Sequence, residues 1–266
     1  MKKVSVIGSG ALATIFVTQL DRLLKNEYEI SCIYSKTLEH AQTLANKVQA
    51  QSTDRFDEFQ KVPCDIVVEF AGINAVKLHA KALLEDGKDL IIASAGALAD
   101  EVFKEELQKA AKGSGSKLYV AGGAIGGLDL MQTFALMGEA EAEICSTKAP
   151  RSLNGAPYLQ GRLLSETERE IVFEGGVKEA IAGFPKNVNV AVTTSAATEN
   201  PATQVKLIST PGTSTNTHTI TLKNALMTAK IEIASQPDPK NPKSSVSTAW
   251  SALALLKNLA SPIVYY

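Results

Sequence analysis

The sequence predicts an α/β fold with two parts: a parallel sheet wound with helices, then a second α/β domain with a mixed sheet, closed by a helix that returns to the first domain. Three observations carry this. Apolar runs of strand length alternate with amphipathic stretches through residues 1–121. A glycine fingerprint, Gly8-Ser9-Gly10-Ala11-Leu12-Ala13, joins the first run to the first amphipathic stretch. Beyond Gly122, strand-like segments follow one another without long helices between them.

The elements follow in order. Residues 4–7 form an apolar strand ending in glycine. Residues 11–24 place Leu12, Ile15, Phe16, Leu20, Leu23 and Leu24 near one side at helical spacing. Residues 28–34 read as the second strand and 38–50 as a helix, followed by a polar stretch through Gln60. Residues 65–70 form the third strand, and 74–84 a helix that closes near Gly87. Residues 89–93 are the fourth strand, 100–112 a helix stopped by Gly113-Ser114-Gly115, and 117–121 the fifth strand. Strand, helix, strand repeated in this way gives a parallel sheet with right-handed crossovers, and its apolar strands imply helices on both faces. Thereafter residues 124–137 read as a helix opened by glycines. Residues 141–148, 169–173, 189–194, 204–209, 217–222 and 228–234 read as strands, and 177–184 as a short helix. The proline-bearing residues 236–243 read as a linker and 244–259 as a last amphipathic helix. The expected division is a Rossmann-type domain of residues 1–122 and 243–266, and a second α/β domain of residues 123–242.

Composition narrows the function. Apolar residues make up 45% and charged residues 21%, which suits a globular chain with a sizeable core. Lys and Arg total 27 against 28 Asp and Glu, so no polybasic surface for nucleic acid is expected. No apolar run reaches the ~18–20 residues that span a bilayer. The apolar stretch after Lys2-Lys3 is too short for a signal-peptide core and reads as a buried strand. Cys32, Cys64 and Cys145 form no C-x-x-C pair, so neither a disulfide framework nor structural zinc is expected, and a reducing cytoplasmic setting fits. No His/Cys/Asp/Glu cluster has metal-ligand spacing, and no metal is expected.

The glycine fingerprint fits G-x-G-x-x-A in the context that motif requires, after a strand and opening a helix. Gly8 permits the tight turn, Gly10 admits a pyrophosphate close to the backbone, and Ala13 allows close helix–strand contact. The helix N-terminus, at Ala11 and Leu12, offers free N–H groups to phosphate. The alternative is a glycine turn serving packing alone. A site preferring NAD usually carries Asp or Glu about 20 residues past the glycines, on the ribose. Here the second strand ends Tyr34-Ser35-Lys36-Thr37, without a carboxylate. Ser35 and Lys36 suit a 2′-phosphate, so NADP is slightly favoured over NAD. Ala71, in Glu69-Phe70-Ala71-Gly72, and Ser94, in Ser94-Ala95-Gly96, sit past the carboxyl ends of strands, where such sheets admit a ligand. The run Gly122-Gly123-Ala124-Ile125-Gly126-Gly127 suggests close approach to a ligand or a hinge, with an interdomain turn as the alternative. Of three histidines, His40 and His79 lie in helical stretches and read as surface residues. His218 suits proton transfer near neutral pH, although a lone strand histidine is more often structural.

These segments together resemble the NAD(P)-dependent L-aspartate dehydrogenases over nearly the whole chain. The resemblance runs through the fingerprint, SAGALAD at 94–100, GGAIGGLD at 122–129, FPKNVNVAV at 184–192, NTHTI at 216–220 and NPKSSVSTAWSALALL at 241–256. It implies a Rossmann domain plus an α/β domain whose sheet supports a homodimer, with the last helix returning to the first domain. It also implies a catalytic role for His218 and cofactor contacts at Ala124 and Asn189. The implied reaction is oxidation of L-aspartate to iminosuccinate, or in reverse the reductive amination of oxaloacetate, feeding NAD synthesis. The candidate donors to the dicarboxylate are Lys148, Asn187, Thr193, Thr194 and Ser244. Three departures stand out: Ala13 where glycine is frequent, no acidic ribose ligand, and Ala149 within a segment similar to K-P-P. The competing readings are a dehydrogenase or imine reductase for another amino or keto acid, and a non-catalytic dinucleotide sensor.

Overall fold

A computed structural model describes every residue except Glu139, Lys186, Pro239, Lys240 and Tyr266, with backbone alone for residues 237–238 and 241–244. The chain divides into two compact units, Met1–Ala121 with Thr248–Tyr266, and Gly122–Ser247.

In chain order the first unit runs β1 (Lys2–Ile7), α1 (Ala11–Leu23), β2 (Tyr28–Tyr34), α2 (Leu38–Ala45), β3 (Gln51–Thr53), α3 (Phe56–Lys61), β4 (Ile66–Glu69), α4 (Ile73–Glu85) and β5 (Asp89–Ile92). A 3₁₀ turn at Ala95–Ala99, α5 (Glu101–Ser114) and β6 (Leu118–Val120) complete this stretch. The second unit holds α6 (Leu128–Met137), β7 (Glu141–Lys148), α7 (Pro150–Leu153), β8 (Glu170–Gly176), α8 (Val177–Gly183), α9 (Asn189–Ala197), β9 (Gln204–Ser209), β10 (Asn216–Lys223), β11 (Thr228–Ser235), β12 (Pro237–Asp238) and β13 (Asn241–Ser245). The last helix is α10 (Ser247–Ala260).

The first unit's sheet has the order β3-β2-β1-β4-β5-β6, and every pairing is parallel. The order reverses at β1, which puts the carboxyl ends of β1, β2 and β4 around one crevice. The strands are apolar because helices cover both faces: Val4, Val6, Ile33, Val67, Val68, Ile91 and Ile92 are all fully buried. The last helix joins this core. Ala249, Ala252, Leu253 and Leu256 pack in one cluster with Val4, Phe16, Leu20 and Ile33, and the Tyr28 hydroxyl donates to the Leu256 carbonyl at 2.9 Å.

The second unit's sheet is mixed, in the order β11-β10-β7-β9-β8, with β7 and β9 parallel and the other pairs antiparallel. Alternation sets one buried face, carrying Ala142, Ile144, Ser146 and Lys148 on β7 and Asn216, His218, Ile220 and Leu222 on β10. Helix α9 packs on β7, beside α6 and α8.

The structure corrects several elements. Residues 189–194, expected as a strand, lie in α9. Their Asn/Val alternation imitates a strand period, yet Ala191, Val192, Thr193 and Thr194 are buried in succession, because neighbours surround this helix on several sides. The threonine hydroxyls are satisfied within it: Thr194 donates to the Val190 carbonyl and Thr198 to that of Thr194. The polar stretch before Gln60 contains β3 and α3. A three-residue edge strand is too short to show a period, and the Thr53 hydroxyl fixes the turn by accepting from Arg55 N–H and donating to Glu58. Helix α2 ends at Ala45 rather than Ala50, and α6 begins at Leu128 rather than Ala124. Part of the expected linker is paired backbone in β12 and β13, and its Pro239 and Lys240 lie outside the described residues.

Leu256 is fully buried at the junction of α10 with the N-terminal sheet. Leu256→Ala is expected to lower the unfolding free energy by about 2–5 kcal/mol, read by urea unfolding.

Candidate active site

The first unit carries a crevice of about 330 Å³ lined by Gly8, Ser9, Gly10, Tyr34, Ser35, Lys36, Phe70, Ala71, Asn74 and His79, among others. It is built by the turn after β1. Gly8 has φ of +116°, and a Cβ there would sit 3.0 Å from the Phe70 backbone, so no larger residue fits without displacing the strand end beside it. Its N–H donates to the Tyr34 carbonyl at 2.8 Å, and the Ser9 hydroxyl donates to that of Ser35 at 2.8 Å, which ties the glycine turn to the end of β2. Gly10 caps α1, and nothing lies within 4 Å of where its Cβ would be. The open face at Gly10, the free N–H groups of the first turn at Ala11 and Leu12, and the absence of a carboxylate from the crevice lining fit the diphosphate of a dinucleotide.

Glu69 holds this edge of the sheet from below. The last residue of β4, it is buried, and its carboxylate accepts from the N–H groups of Ala71 and Gly72 at 2.6 Å and from the N–H and hydroxyl of Ser94. Burial pushes its carboxyl up, and these donors oppose the shift. Ser94, expected to contact the cofactor, instead turns both of its donors to Glu69. Ala71 is exposed at the crevice. The polar end of an otherwise apolar strand was the signal for Glu69.

His79 departs from the sequence reading. It is half-buried, not a surface residue: its ring stacks on Phe56 with centroids 3.7 Å apart and meets Tyr34 edge-on at 5.6 Å. The aromatic partners lie in β2 and in the helix hidden within the polar stretch. His40 is exposed.

In the second unit three strands turn polar toward the same end of one sheet face. On the shared face β7 passes from Ile144 to Ser146 and Lys148, β10 from Ile220 to His218 and Asn216, and β9 from Leu207 to Ser209. His218 lies opposite Ser146, and its Nδ1 is 2.8 Å from the Ser146 hydroxyl. The ring is 3% exposed; burial and then the Lys148 charge push it down to about 3, so it is neutral at physiological pH. Lys148 is 5% exposed, and burial pushes it down to about 8. Its ammonium donates to Asn187 Oδ1 at 2.8 Å, and no carboxylate pairs with it among the described residues. Asn187 Nδ2 in turn reaches the Ser152 carbonyl of α7 at 3.5 Å.

The structure thus brings together His218, Lys148 and Asn187, with Thr193 buried on α9. Thr194 is fully buried, and its hydroxyl donates to the Val190 carbonyl within its own helix. Asn189 is exposed at the first position of α9, and Ala124 is half-buried in the loop before α6. Ser244 lies in β13, and its side chain is outside the described residues. The glycine run before α6 serves packing at two positions. A Cβ on Gly126 would meet Ile233 at 3.3 Å, and one on Gly127 would overlap Ile231. Among the described residues no group of three His, Cys, Asp or Glu side chains could hold a metal, and no helix is long and apolar enough to cross a membrane.

Comparison with known proteins covers both units. A family profile described as the NAD-binding domain of homoserine dehydrogenase matches residues 8–121, and one described as aspartate dehydrogenase, C-terminal, matches residues 129–259. The chain is 37% identical to the L-aspartate dehydrogenase of Methanococcus maripaludis strain C6, over 99% of this chain and 98% of that one. It is 36% identical to that of Methanocaldococcus jannaschii, over the same shares. The crystal structure of aspartate dehydrogenase from Thermotoga maritima superposes with a TM-score of 0.76 at 28% identity, covering 100% of both chains.

Proposed function

The chain belongs to the L-aspartate dehydrogenase family, and on that premise we propose that it is an NAD(P)-dependent oxidoreductase that converts L-aspartate to iminosuccinate. The observation that carries the reading is the buried Lys148 ammonium, uncompensated by a carboxylate among the described residues and on the same sheet face as a neutral imidazole.

Gly8, Gly10, Ala11 and Leu12 hold the cofactor's diphosphate, and Ser35 and Lys36 its adenosine ribose. When bound, the nicotinamide supplies the hydride acceptor. The protein's own work is to hold the amino acid and to move a proton. Lys148, charged below about pH 8, takes a substrate carboxylate, with Asn187 fixing the ammonium. A buried cation attracts a carboxylate far more strongly than an exposed one, since little water screens it. Thr193 is the second candidate donor.

His218 takes the proton that leaves the substrate nitrogen. For its Nε2 to act as base, Nδ1 carries the ring proton and donates to Ser146 Oγ. In the free protein Lys148 weakens this base, because a cation beside an imidazole disfavours its protonation. A substrate carboxylate seated on Lys148 offsets that charge, so the imidazole becomes a better base once substrate is in place. Its neutral form is the reactive one, and it persists through the physiological range.

The absence of an acidic side chain at Ser35-Lys36 supports use of NADP. Three free cysteines support a reducing, cytoplasmic setting. The second face of the mixed sheet, with Glu143, Thr219 and Glu232 at least partly exposed, is the surface we assign to a homodimer.

The direct test is a panel of amino acids with NAD⁺ and NADP⁺, followed by formation of the reduced nicotinamide. Aspartate is expected to turn over well above other amino acids. His218→Ala is expected to retain cofactor affinity and to lose about 10²-fold or more in kcat; a variant with wild-type turnover removes His218 from the mechanism. Ser35→Asp combined with Lys36→Ala is expected to move preference toward NAD, measured as the ratio of dissociation constants for the two cofactors.

A further inference from the structure

We propose that His79 is a third recognition residue of the cofactor crevice, donating to a 2′-phosphate alongside Ser35 and Lys36 and so favouring NADP(H) over NAD(H). This rests on the reading of Ser35 and Lys36 as the adenosine end of the site and extends it to a different element of the fold.

The argument starts from position. His79 is on α4, yet it lines the same crevice as Gly8, Gly10, Ser35 and Lys36. Its ring is held rather than free, with one face on Phe56 of α3 and contact with Tyr34 at the end of β2. Ordering an imidazole in this way costs rotamer freedom, which a surface histidine has no reason to give up. Among the described residues no hydrogen bond engages either ring nitrogen. The partners that would satisfy it are committed elsewhere. Glu69, which shares a small apolar hollow with His79, accepts from Ala71, Gly72 and Ser94. On α3, Asp57 and Glu58 pair with Arg55. On α4 itself Lys77 pairs with Asp100.

The remaining charged neighbour is Lys36, and its sign matters. Burial and then the Lys36 charge hold the imidazole below its usual range. Two cationic or potentially cationic groups facing one crevice, with no acid among its lining residues, repel each other unless an anion enters. A phosphate on the ribose 2′ position satisfies both at once. A ribose 2′-hydroxyl carries no such charge and gains little from either. The difference between the two ligands is therefore what His79 reads.

The test is isothermal titration of NADP⁺ and of NAD⁺ into the full chain, without substrate. His79→Phe keeps an aromatic ring against Phe56 and removes the ring nitrogens. Its NADP⁺ dissociation constant is expected to rise by about tenfold or more, the size of a lost hydrogen bond to a charged group, while that for NAD⁺ stays within about twofold. His79→Arg, a planar cation that also stacks on aromatic faces, is expected to regain NADP⁺ affinity. A parallel loss for both cofactors in His79→Phe would assign the ring to adenine stacking or to packing and overturn the proposal, as would no change for either. If the Ser35→Asp, Lys36→Ala protein shifts selectivity and His79→Phe does not, only the role of His79 fails. If neither shifts it, the phosphate-site reading fails with it.

Discussion

One buried ammonium organises the second unit. Removing a lysine from water costs several kcal/mol unless an opposite charge or good hydrogen bonds repay it. Among the described residues the ammonium of Lys148 finds the Asn187 side-chain oxygen as its acceptor, and burial brings it down to about 8. A fold carries such a cost where a ligand repays it. The same charge acts on His218, and the imidazole stays neutral because both burial and Lys148 oppose a second positive charge. The two groups are coupled: whatever neutralises Lys148 strengthens the base on β10. On the proposed reading, substrate binding and proton transfer are linked by electrostatics within one sheet face.

That face is possible because β7, β9 and β10 all turn polar toward the same end of the sheet. Ile144, Val205 and Ile220 make the apolar side, Ser146 and His218 are level with Leu207, and Lys148, Ser209 and Asn216 lie beyond. The apolar side is packed core, which fixes the register and hence the pairing of His218 with Ser146. In the first unit the equivalent constraint is the turn after β1. Gly8 passes against the Phe70 backbone with no room for a side chain, and Glu69 ties down the loops after β4 and β5 with a single carboxylate. Both units place rigid strands under the chemistry and leave the contacts to strand ends and loops.

Much of this was legible in the sequence. The first unit's strands are uniformly apolar and separated by amphipathic helices, so type and order follow from pattern alone. The fingerprint was readable because Gly8, Gly10 and Ala13 each answer a different steric demand. His218 carried little weight from periodicity and gained it from the NTHTI segment and its neighbours. The failures have physical causes. Helix α9 is packed on several sides, so its residues show no single apolar stripe and its alternation imitated a strand. The inward bond of Thr194 was not legible, because a hydroxyl turned to its own helix is indistinguishable in sequence from one facing a ligand. His79 was read as a surface residue because its partners, Tyr34 and Phe56, are distant in sequence and Phe56 begins a helix too short to have a period. The bonds from Ser94 to Glu69 were not legible, because the two residues lie on neighbouring strands far apart in sequence.

The account stands most directly on Lys148 as the receptor for a carboxylate. Succinate isolates that role, since it carries both carboxylates of aspartate and no amine, and both are ionised above about pH 6.5. Calorimetric titration of succinate from about pH 6.5 to about pH 9.5 should give a steady dissociation constant up to about 8 and a roughly tenfold weakening per unit above it. Lys148→Met should bind weakly at every pH. A dissociation constant that stays level through the whole range in the wild-type protein would contradict the account.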